Sequence, residues 1–283
     1  MPVKLTISQS RAIIKGSLFC VWVILTMPIA VITYHLNQNL HEKMVKFFLK
    51  GTLKVIGVKV VEEGFTDIPK DAVLYVSNHT SYLDILVLGS KIKVRFTPKI
   101  EISKWPVINF IVNLSLPVYI HRNASKALEQ KKRIQEIIES GDSILIFPES
   151  TTNDGHEVLP FKSSLFSVAE PDEGTHQDDH IAVQPISIVY THIDGEQANI
   201  KNMDKVAWYG DMKFLPHFWN LLAARGAKVK IMYHSEIYYE DFGDRKALSR
   251  HCEEVITKGV EEIKKQNEET ETRKNFFSRL GKH

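Results

Sequence analysis

Short apolar runs alternate with longer amphipathic stretches along most of this chain. The amphipathic stretches have helical spacing from Ser125 to Glu139, with Gly141 just beyond, and from Arg245 to Lys265. Alternating strands and helices predict an α/β layer structure. Strands are predicted where the runs are rich in β-branched residues, at Val55 to Val61, Val73 to Val76, Lys93 to Thr97, Leu116 to Ile120, Ile144 to Phe147, Ile181 to Val189 and Ala227 to Ile237.

The N-terminal region has a different pattern, since Gly16 to Leu40 contains no Lys, Arg, Asp or Glu. This stretch is close to the ~20 apolar residues that a bilayer span requires. Both flanks are basic, so both ends favour the cytoplasmic side, and Pro28 could break the helix into a re-entrant pair. A spanning and a half-inserted segment both remain open. The predicted organisation is a membrane-associated helical segment (1–50), a catalytic domain (51–265) and a charged, frayed tail (266–283).

Composition narrows the class of protein further. The 283 residues suffice for one large domain, and the net charge of +2 is too small to indicate nucleic-acid binding. Cys20 and Cys252 are the only cysteines, which excludes a disulfide framework and a cysteine zinc site. These features fit a membrane-associated protein whose main domain faces the reducing cytoplasm.

The most informative chemical signal is the stretch from 78 to 84, which follows an apolar run. On a regular helix His79 and Asp84 would point about 140° apart, so a turn must lie between them if they are to meet. We therefore predict a strand, a turn and a helix that begins near Ser81. Asp84 could then hold the imidazole in one tautomer, which leaves His79 able to take a proton from a hydroxyl nucleophile. No protein nucleophile is required.

A second polar segment follows the predicted strand at Ile144 to Phe147. It contains Glu149, Ser150 and Thr151 within a turn-rich loop that continues to Gly155. Ligands in open α/β sheets bind beyond the carboxyl ends of strands, where both polar segments would lie. The two segments are therefore predicted to form one site.

Four blocks together resemble a known family. In order they are Asn78-His79-x-x-x-x-Asp84, Val118-Tyr119-Ile120-His121-Arg122, Phe147-Pro148-Glu149-x-Thr151 and Val183-Gln184-Pro185-Ile186. This series, with its spacing, is similar to that of the 1-acylglycerol-3-phosphate acyltransferases, and the resemblance extends from about Gly57 to Ile237. The third block departs from the family pattern, because Ser150 and Thr152 stand where the family usually has glycine and arginine.

The resemblance implies a mixed central sheet flanked by helices, with an N-terminal segment that inserts in the membrane. It also implies transfer of an acyl chain from acyl-CoA or acyl carrier protein to the free hydroxyl of 1-acyl-sn-glycerol 3-phosphate, which yields phosphatidic acid. The partners would be the membrane lipid, the lysophospholipid acceptor and the thioester donor, with no other cofactor and no metal. An alternative acceptor within the same class is a lyso-ornithine lipid.

Residue roles follow from the same resemblance. His79 and Asp84 would be catalytic, Arg122 would clamp the acceptor phosphate with two hydrogen bonds, and Lys99 matches a lysine common in the family. Glu149, with Ser150 and Thr151, would organise the acceptor or the loop. The oxyanion would be met by backbone N–H groups either near Ser81 or in the Glu149 to Asn153 loop.

Two other classes stay open as alternatives. A metal-dependent phosphoester hydrolase could use carboxylates and imidazoles from these loops, but their spacing matches no metalloenzyme motif, and no Gly-x-Ser-x-Gly elbow for a serine esterase is present. A membrane-anchored binding module without catalysis is disfavoured because the histidine and its carboxylate are both present. The hydrolase ligands would be His79, Asp84, His121, Glu149, Asp154 and His156.

Overall fold

A computed structural model describes residues 6–64, 72–98, 109, 112–113, 115–119, 127–171 and 180–280. The helices are α1 (Ile7–Leu36), α2 (Gln38–Ile56), α3 (Leu83–Gly89), α4 (Ala127–Glu139), α5 (Phe214–Ala223) and α6 (Arg245–Leu280). The strands are β1 (Val58–Gly64), β2 (Leu74–Ser77), β3 (Arg95–Phe96), β4 (Ile144–Ile146), β5 (Val183–Ile193), β6 (Glu196–Gln197) and β7 (Ala227–Tyr233). Short 3₁₀ helices lie at Ser163–Ala169, Met203–Lys205 and Tyr239–Asp241.

The described strands form one mixed sheet in the order β1-β7-β5-β2-β4-β3, with β6 paired to β5. Strands β2, β3, β4 and β5 are mutually parallel, whereas β7 runs antiparallel to β5 and parallel to β1. The predicted mixed sheet flanked by helices is confirmed. Because β2 and β4 are parallel neighbours, the two polar segments that follow them emerge at the same edge of the sheet.

Apolar side chains cover both faces of the sheet. On one face α2, α3 and α5 bury residues such as Ile56, Val87 and Leu221. On the other face α4 and α6 contribute Ile134, Ile256 and their neighbours. A sheet that is buried on both sides leaves only its edges and the strand ends for chemistry.

The N-terminal apolar stretch forms a continuous helix. Helix α1 begins at the cap residue Thr6, passes through Pro28 without a break, and ends where Asn37 becomes extended and caps α2. A break at Pro28, one of the possibilities that the sequence left open, does not occur, and the chain turns back at Asn37 instead. By length and composition α1 could cross a bilayer, yet one of its faces packs on α2 and α5.

Three of the differences from the sequence prediction have a clear physical cause. The first predicted strand began at Val55, but α2 continues to Ile56 and stops at Gly57, which adopts the left-handed conformation (φ 90°). Ser115–Tyr119 forms no strand in the described part of that segment, although the Val118 N–H donates to the Phe96 carbonyl. Leu116 interrupts regular pairing there because its φ is 51°.

The third difference is at the C-terminus, where the predicted frayed tail from 266 is helical as far as Leu280. The buried Asn267 donates its side-chain amide to the Thr191 carbonyl, and His192 Nε2 lies 3.1 Å from a Glu271 carboxylate oxygen. These contacts extend α6 because they fasten its charged part to the end of β5. Charge alone suggested a solvated tail, and tertiary contacts override that tendency.

Candidate active site

The segment from 78 to 84 connects the end of β2 to the start of α3. Asn78 fixes its first turn, since its side-chain amide donates to the Ile188 carbonyl (3.0 Å) and its Oδ1 accepts the Ile188 N–H (2.9 Å). These two hydrogen bonds have the pattern of those between paired strands, and they join the end of β2 to β5. The helix begins at Leu83, close to the predicted start near Ser81.

The predicted hydrogen bond between the histidine and its carboxylate is present. His79 Nδ1 donates to Asp84 Oδ2 at 2.9 Å, and Asp84 is fully buried. The same carboxylate oxygen accepts the N–H groups of Thr80 (2.7 Å) and Ser81 (2.8 Å). A buried carboxylate with this many donors is held in one orientation.

Tyr190 supplies the fourth donor to this carboxylate. Its hydroxyl lies 2.7 Å from Asp84 Oδ1, inside the sheet, on β5. Burial raises the pKa of the Tyr190 phenol well above its ordinary value, and the charge of Asp84 raises it further, so Tyr190 remains a donor. The opposite nitrogen of the imidazole, His79 Nε2, has no hydrogen-bond partner among the described residues, and 16% of the side chain is exposed. The hydrogen bond at Nδ1 thus orients His79, and its Nε2 is left accessible to a substrate.

The second segment packs directly on the first. Phe147 follows β4 and stacks on the His79 imidazole, with ring centroids 3.9 Å apart and planes 13° from parallel. The Asn153 N–H donates to the His79 carbonyl at 3.2 Å. The two segments therefore form one site, as the sequence predicts.

Glu149 clamps the two segments together. It is buried, and its Oε1 accepts the His79 N–H at 2.7 Å. Its Oε2 accepts the Asn153 amide (2.6 Å) and the Leu159 N–H (3.1 Å). Burial raises the pKa of Glu149 to about 7, while these three hydrogen bonds act in the opposite direction. The geometry is that of a residue which organises the loop.

The next residues form a tight turn. Ser150 has a φ of 59°, the left-handed conformation that favours glycine, at the position where the resembling family usually has glycine. The turn therefore has the backbone conformation that favours glycine, with serine at that position. Thr151 is exposed and Thr152 is half-buried.

The backbone N–H groups near the site differ in whether they already have a hydrogen-bond acceptor. The Thr80 and Ser81 N–H groups both bind Asp84, so these two donors near Ser81 are already occupied, whereas the Tyr82 N–H has no acceptor among the described residues. In the other predicted location, the Ser150 N–H donates to the Phe147 carbonyl. Within the described structure, the N–H groups of Thr151 and Thr152 have no acceptor.

An aromatic cluster supports the outer side of the first segment. The Tyr82 hydroxyl and His217 Nδ1 are 3.0 Å apart, and the Tyr82 ring contacts Trp208 and Phe214. The Trp208 N–H donates to the Thr80 carbonyl at 3.1 Å. Burial lowers the pKa of His217, which keeps this imidazole neutral. The segment is therefore held by α5 and the loop before it.

The remaining predicted residues divide into two groups. Lys99, His121 and Arg122 lie outside the described residues. Asp154 and His156 belong to a surface turn in which the Asp154 carboxylate accepts the His156 N–H at 3.0 Å. In the part of the chain that the structure describes, no three His, Cys, Asp or Glu side chains gather as metal ligands. The ligand set of the hydrolase alternative is not assembled there.

Sequence reasoning missed three contacts: the Tyr190 hydroxyl on Asp84, the stacking of Phe147 on His79, and the hydrogen bond from the Asn153 N–H to the His79 carbonyl. A signal for Tyr190 was available, because a tyrosine in a buried strand must find a partner for its hydroxyl. Tyr82, to which the sequence pattern assigns no role, also holds the outer side of the segment. None of these partners can be read from spacing, since each bond joins residues that are distant in sequence or packed face to face.

Comparisons with known proteins agree with this geometry. The model of the acyltransferase family matches residues 37–189. A lyso-ornithine lipid O-acyltransferase from Brucella abortus is 30% identical over 81% of this chain and 86% of its own length. A 1-acyl-sn-glycerol-3-phosphate acyltransferase from Neisseria gonorrhoeae is 27% identical over 66% of this chain and 68% of its own length.

One solved structure shares the fold. The crystal structure of the 1-acyl-sn-glycerophosphate acyltransferase from Thermotoga maritima superposes with a TM-score of 0.66 at 21% identity, and the match covers 90% of this chain and 95% of that one. At this identity the likeness establishes the architecture, and the chemistry must be argued from the residues.

Proposed function

This chain belongs to the acyltransferase family and is an acyltransferase of the lysophospholipid type, and we propose that it acylates the free hydroxyl of a lyso-ornithine lipid. The donor is a thioester, acyl-CoA or acyl-acyl carrier protein, and the reaction needs no other cofactor. The observation that carries the chemistry is the His79 to Asp84 hydrogen bond at the open edge of the sheet.

The transfer is direct. The acceptor hydroxyl donates a hydrogen bond to His79 Nε2, and its proton passes to the imidazole as the oxygen attacks the thioester carbonyl carbon. The carbon–sulfur bond then breaks, and the leaving thiolate takes the proton back from the imidazolium. Asp84 holds the Nδ1–H and stabilises the transient cation. The uncommitted N–H groups of Thr151 and Thr152 receive the oxyanion.

Charge near the site favours an acceptor with a cationic group. The segments 77–84 and 147–157 contain no Lys or Arg, whereas the second carries Glu149, Asp154 and Glu157. The nearby Lys264 ammonium donates to the Gly155 and His156 carbonyls and so is engaged by the backbone. Ornithine presents an ammonium group, which the Asp154 and Glu157 carboxylates attract, whereas a phosphate dianion would be repelled.

A second candidate acceptor is 1-acyl-sn-glycerol 3-phosphate. The Neisseria relative and the Thermotoga structure carry this activity in their names. In this chain the phosphate would depend on Arg122, with Lys99, because Thr152 replaces the arginine of the family's third block. Losing such a charge-assisted clamp costs about 10- to 100-fold.

An acceptor panel separates the two candidates. Purified protein is given lyso-ornithine lipid, 1-acyl-sn-glycerol 3-phosphate or lysophosphatidylethanolamine, each with acyl-CoA and with acyl-acyl carrier protein. We expect the highest kcat/KM with lyso-ornithine lipid, and Arg122→Ala should leave that value unchanged. Arg133→Ala, which removes an exposed cation of α4, is the matched control. Preference for the phosphate acceptor, with a KM raised about 10- to 100-fold by Arg122→Ala alone, would reverse the assignment.

Membrane placement completes the proposal. The apolar α1 has basic residues on both flanks, which favours association with the cytoplasmic leaflet. The catalytic domain then faces the cytoplasm, where acyl thioesters are made. Removing residues 1–50 would also remove Phe48 and Leu49 from the packed interior, so the sharper test is to lower the apolarity of the exposed face of α1.

A further inference from the structure

Helix α5 exposes a large apolar edge. Leu215 is 75% exposed and Trp219 is 44% exposed. These positions are four residues apart and therefore lie on one face of the helix. The helix carries no Lys, Arg, Asp or Glu. Leaving such a face in water is unfavourable, and an apolar edge of this kind marks a contact surface.

This edge adjoins helix α1. The Phe218 ring packs edge-on against Phe19 at 5.4 Å, and the Arg11 guanidinium donates to the Ala223 carbonyl at 2.7 Å. Leu215 lies on the same row of α5 as Phe218, three positions away, and so is next to the residues that contact α1.

Helix α1 itself exposes an apolar stripe along its whole length. Successive members are three, four or seven positions apart, which places them on one face. The stripe consists of Ile7, Ile14, Leu18, Val21, Leu25, Ile29, Ile32 and Leu36, all exposed. The edge of α5 thus borders a helix with the apolar character that membrane insertion requires.

The same helix supports the catalytic segment. His217 of α5 bonds the Tyr82 hydroxyl, and Phe214 lies 5.1 Å from the Tyr82 ring. Tyr82 is three residues beyond His79. A continuous series of packed rings therefore runs from α1 through α5 to the segment that carries the dyad.

We propose that Leu215 and Trp219 insert into the bilayer surface beside α1, as a second membrane contact that holds the 78–84 segment at the lipid interface. The partner is the boundary between head groups and acyl chains, where tryptophan is favoured. A lysolipid hydroxyl lies at the same depth, so the contact brings the acceptor to His79 without extraction from the membrane. The inference depends on membrane association and on no particular acceptor.

Site-specific labelling tests the contact. Cys20 is exposed on α1, whereas Cys252 is buried and burial raises the pKa of its thiol to about 12, so only Cys20 reacts readily. An environment-sensitive fluorophore is attached to Cys20, to Trp219→Cys in a Cys20→Ser background, and to Tyr238→Cys in the same background. Tyr238 is a matched control, since it is 41% exposed and lies beyond the end of β7, whereas α5 precedes the start of that strand.

With vesicles of phosphatidylethanolamine and phosphatidylglycerol, we expect blue-shifted emission from positions 20 and 219 and none from 238. A label at 219 that behaves like the label at 238 overturns the proposal. A shift at 219 that rises with protein concentration in the absence of vesicles also overturns it, because a second copy would then cover the edge. None of these readouts requires turnover, so failure here is distinct from failure of the acyltransferase assignment.

Binding strength gives an independent readout. The double variant Leu215→Asn with Trp219→Asn should weaken vesicle binding by at least about tenfold, because each side chain loses apolar burial. Tyr238→Asn should leave binding unchanged. Equal binding by the double variant and the unmodified chain, with thermal unfolding unaltered, would contradict a membrane contact at this edge.

Discussion

Two histidines that follow the strands on either side of β5, His79 and His234, show what separates a candidate base from a structural residue. His79 follows β2, donates Nδ1–H to a buried carboxylate and leaves Nε2 open. His234 follows β7 and lies beside a cavity of about 470 Å³. Its Nε2 donates to the Ser187 hydroxyl at 2.9 Å, and that hydroxyl donates to the Ile256 carbonyl at 2.9 Å.

The difference lies in the partners rather than in the imidazole. A serine that gives its proton to a carbonyl is no longer a nucleophile, and no carboxylate from the described part of the chain bonds His234 to stabilise a cation. Burial lowers the pKa of His234 to about 4, so this ring is neutral and acts as a hydrogen-bond donor between β5 and β7. A histidine beside a hydroxyl is therefore insufficient evidence for catalysis, whereas an oriented, partly exposed imidazole is a sound hypothesis.

Replacing each histidine in turn gives the largest expected contrast. His79→Ala should lower kcat by roughly 10²- to 10⁴-fold, as is typical when a general base is removed. His234→Ala should leave kcat near the wild-type value and lower the free energy of unfolding by about 1 to 3 kcal/mol, because Ser187 loses a buried partner. Steady-state rates and urea unfolding measure both. Normal transfer by folded His79→Ala, or a comparable loss of kcat in His234→Ala, would invert the assignment.

Glu149, beside His79, and His234 should also make contributions to stability that change with pH in opposite directions. The pKa of Glu149 is raised from 4.5 to about 7, so the folded state binds its proton more tightly and loses stability as pH rises from 4.5 to 7. The pKa of His234 is lowered from 6.5 to about 4, so stability is lost as pH falls through the interval from 6.5 to 4. Each contribution is at most about 3 kcal/mol.

Urea unfolding of Glu149→Gln and His234→Gln across pH 4 to 8 tests these signs. The free energy of unfolding of the wild type, relative to Glu149→Gln, should decrease with rising pH. Relative to His234→Gln it should increase. Parallel curves for both variants would mean that neither group titrates as described.

Removing the Tyr190 hydroxyl, which bonds Asp84, should have an intermediate effect on kcat. Tyr190→Phe takes a charge-assisted donor from Asp84 and should lower kcat about 10- to 100-fold, with the KM values of both substrates nearly unchanged. Tyr233→Phe is the matched control, because the Tyr233 hydroxyl also donates to a carboxylate, that of Glu62 on β1. A loss that appears in KM, or that Tyr233→Phe reproduces, would show that Tyr190 has no specific positioning role.

The smallest effect is expected at Ser150. A non-glycine residue at φ 59° carries about 1 to 2 kcal/mol of strain, so Ser150→Gly should stabilise the fold by up to about 1 kcal/mol after its added unfolded-state entropy. The neighbouring Thr151→Gly should instead destabilise slightly. Thermal unfolding of the two variants provides the comparison, and destabilisation by Ser150→Gly would show that its side chain matters more than its backbone.

The edge that holds His79 was predictable from sequence to a useful degree. Strand-end placement of His79 and Glu149, and the turn that lets His79 reach Asp84, followed from local pattern and chain geometry. The mixed sheet followed from the resemblance. The central strands, buried on both faces, gave the clearest signals.

What sequence could not supply were contacts between distant elements. Tyr190 reaches Asp84 from a strand more than a hundred positions away, and Asn267 turns a charged tail into helix by bonding Thr191. Pro28 left a helix break open, and α1, packed against α2 and α5, is continuous through it. In each case a local tendency is weaker than a tertiary contact formed by residues far along the chain.

The central claim is that the acyl chain passes directly from the thioester to a lysolipid hydroxyl activated by His79, with no acylated protein in between. Intact-protein mass spectrometry after mixing with isotope-labelled acyl-CoA or acyl-acyl carrier protein, with and without lysolipid, tests this claim most directly. The account predicts unmodified protein in every sample, and labelled diacyl product only when lysolipid and His79 are both present. A labelled acyl group on the protein that forms without acceptor and disappears when lysolipid is added would contradict it.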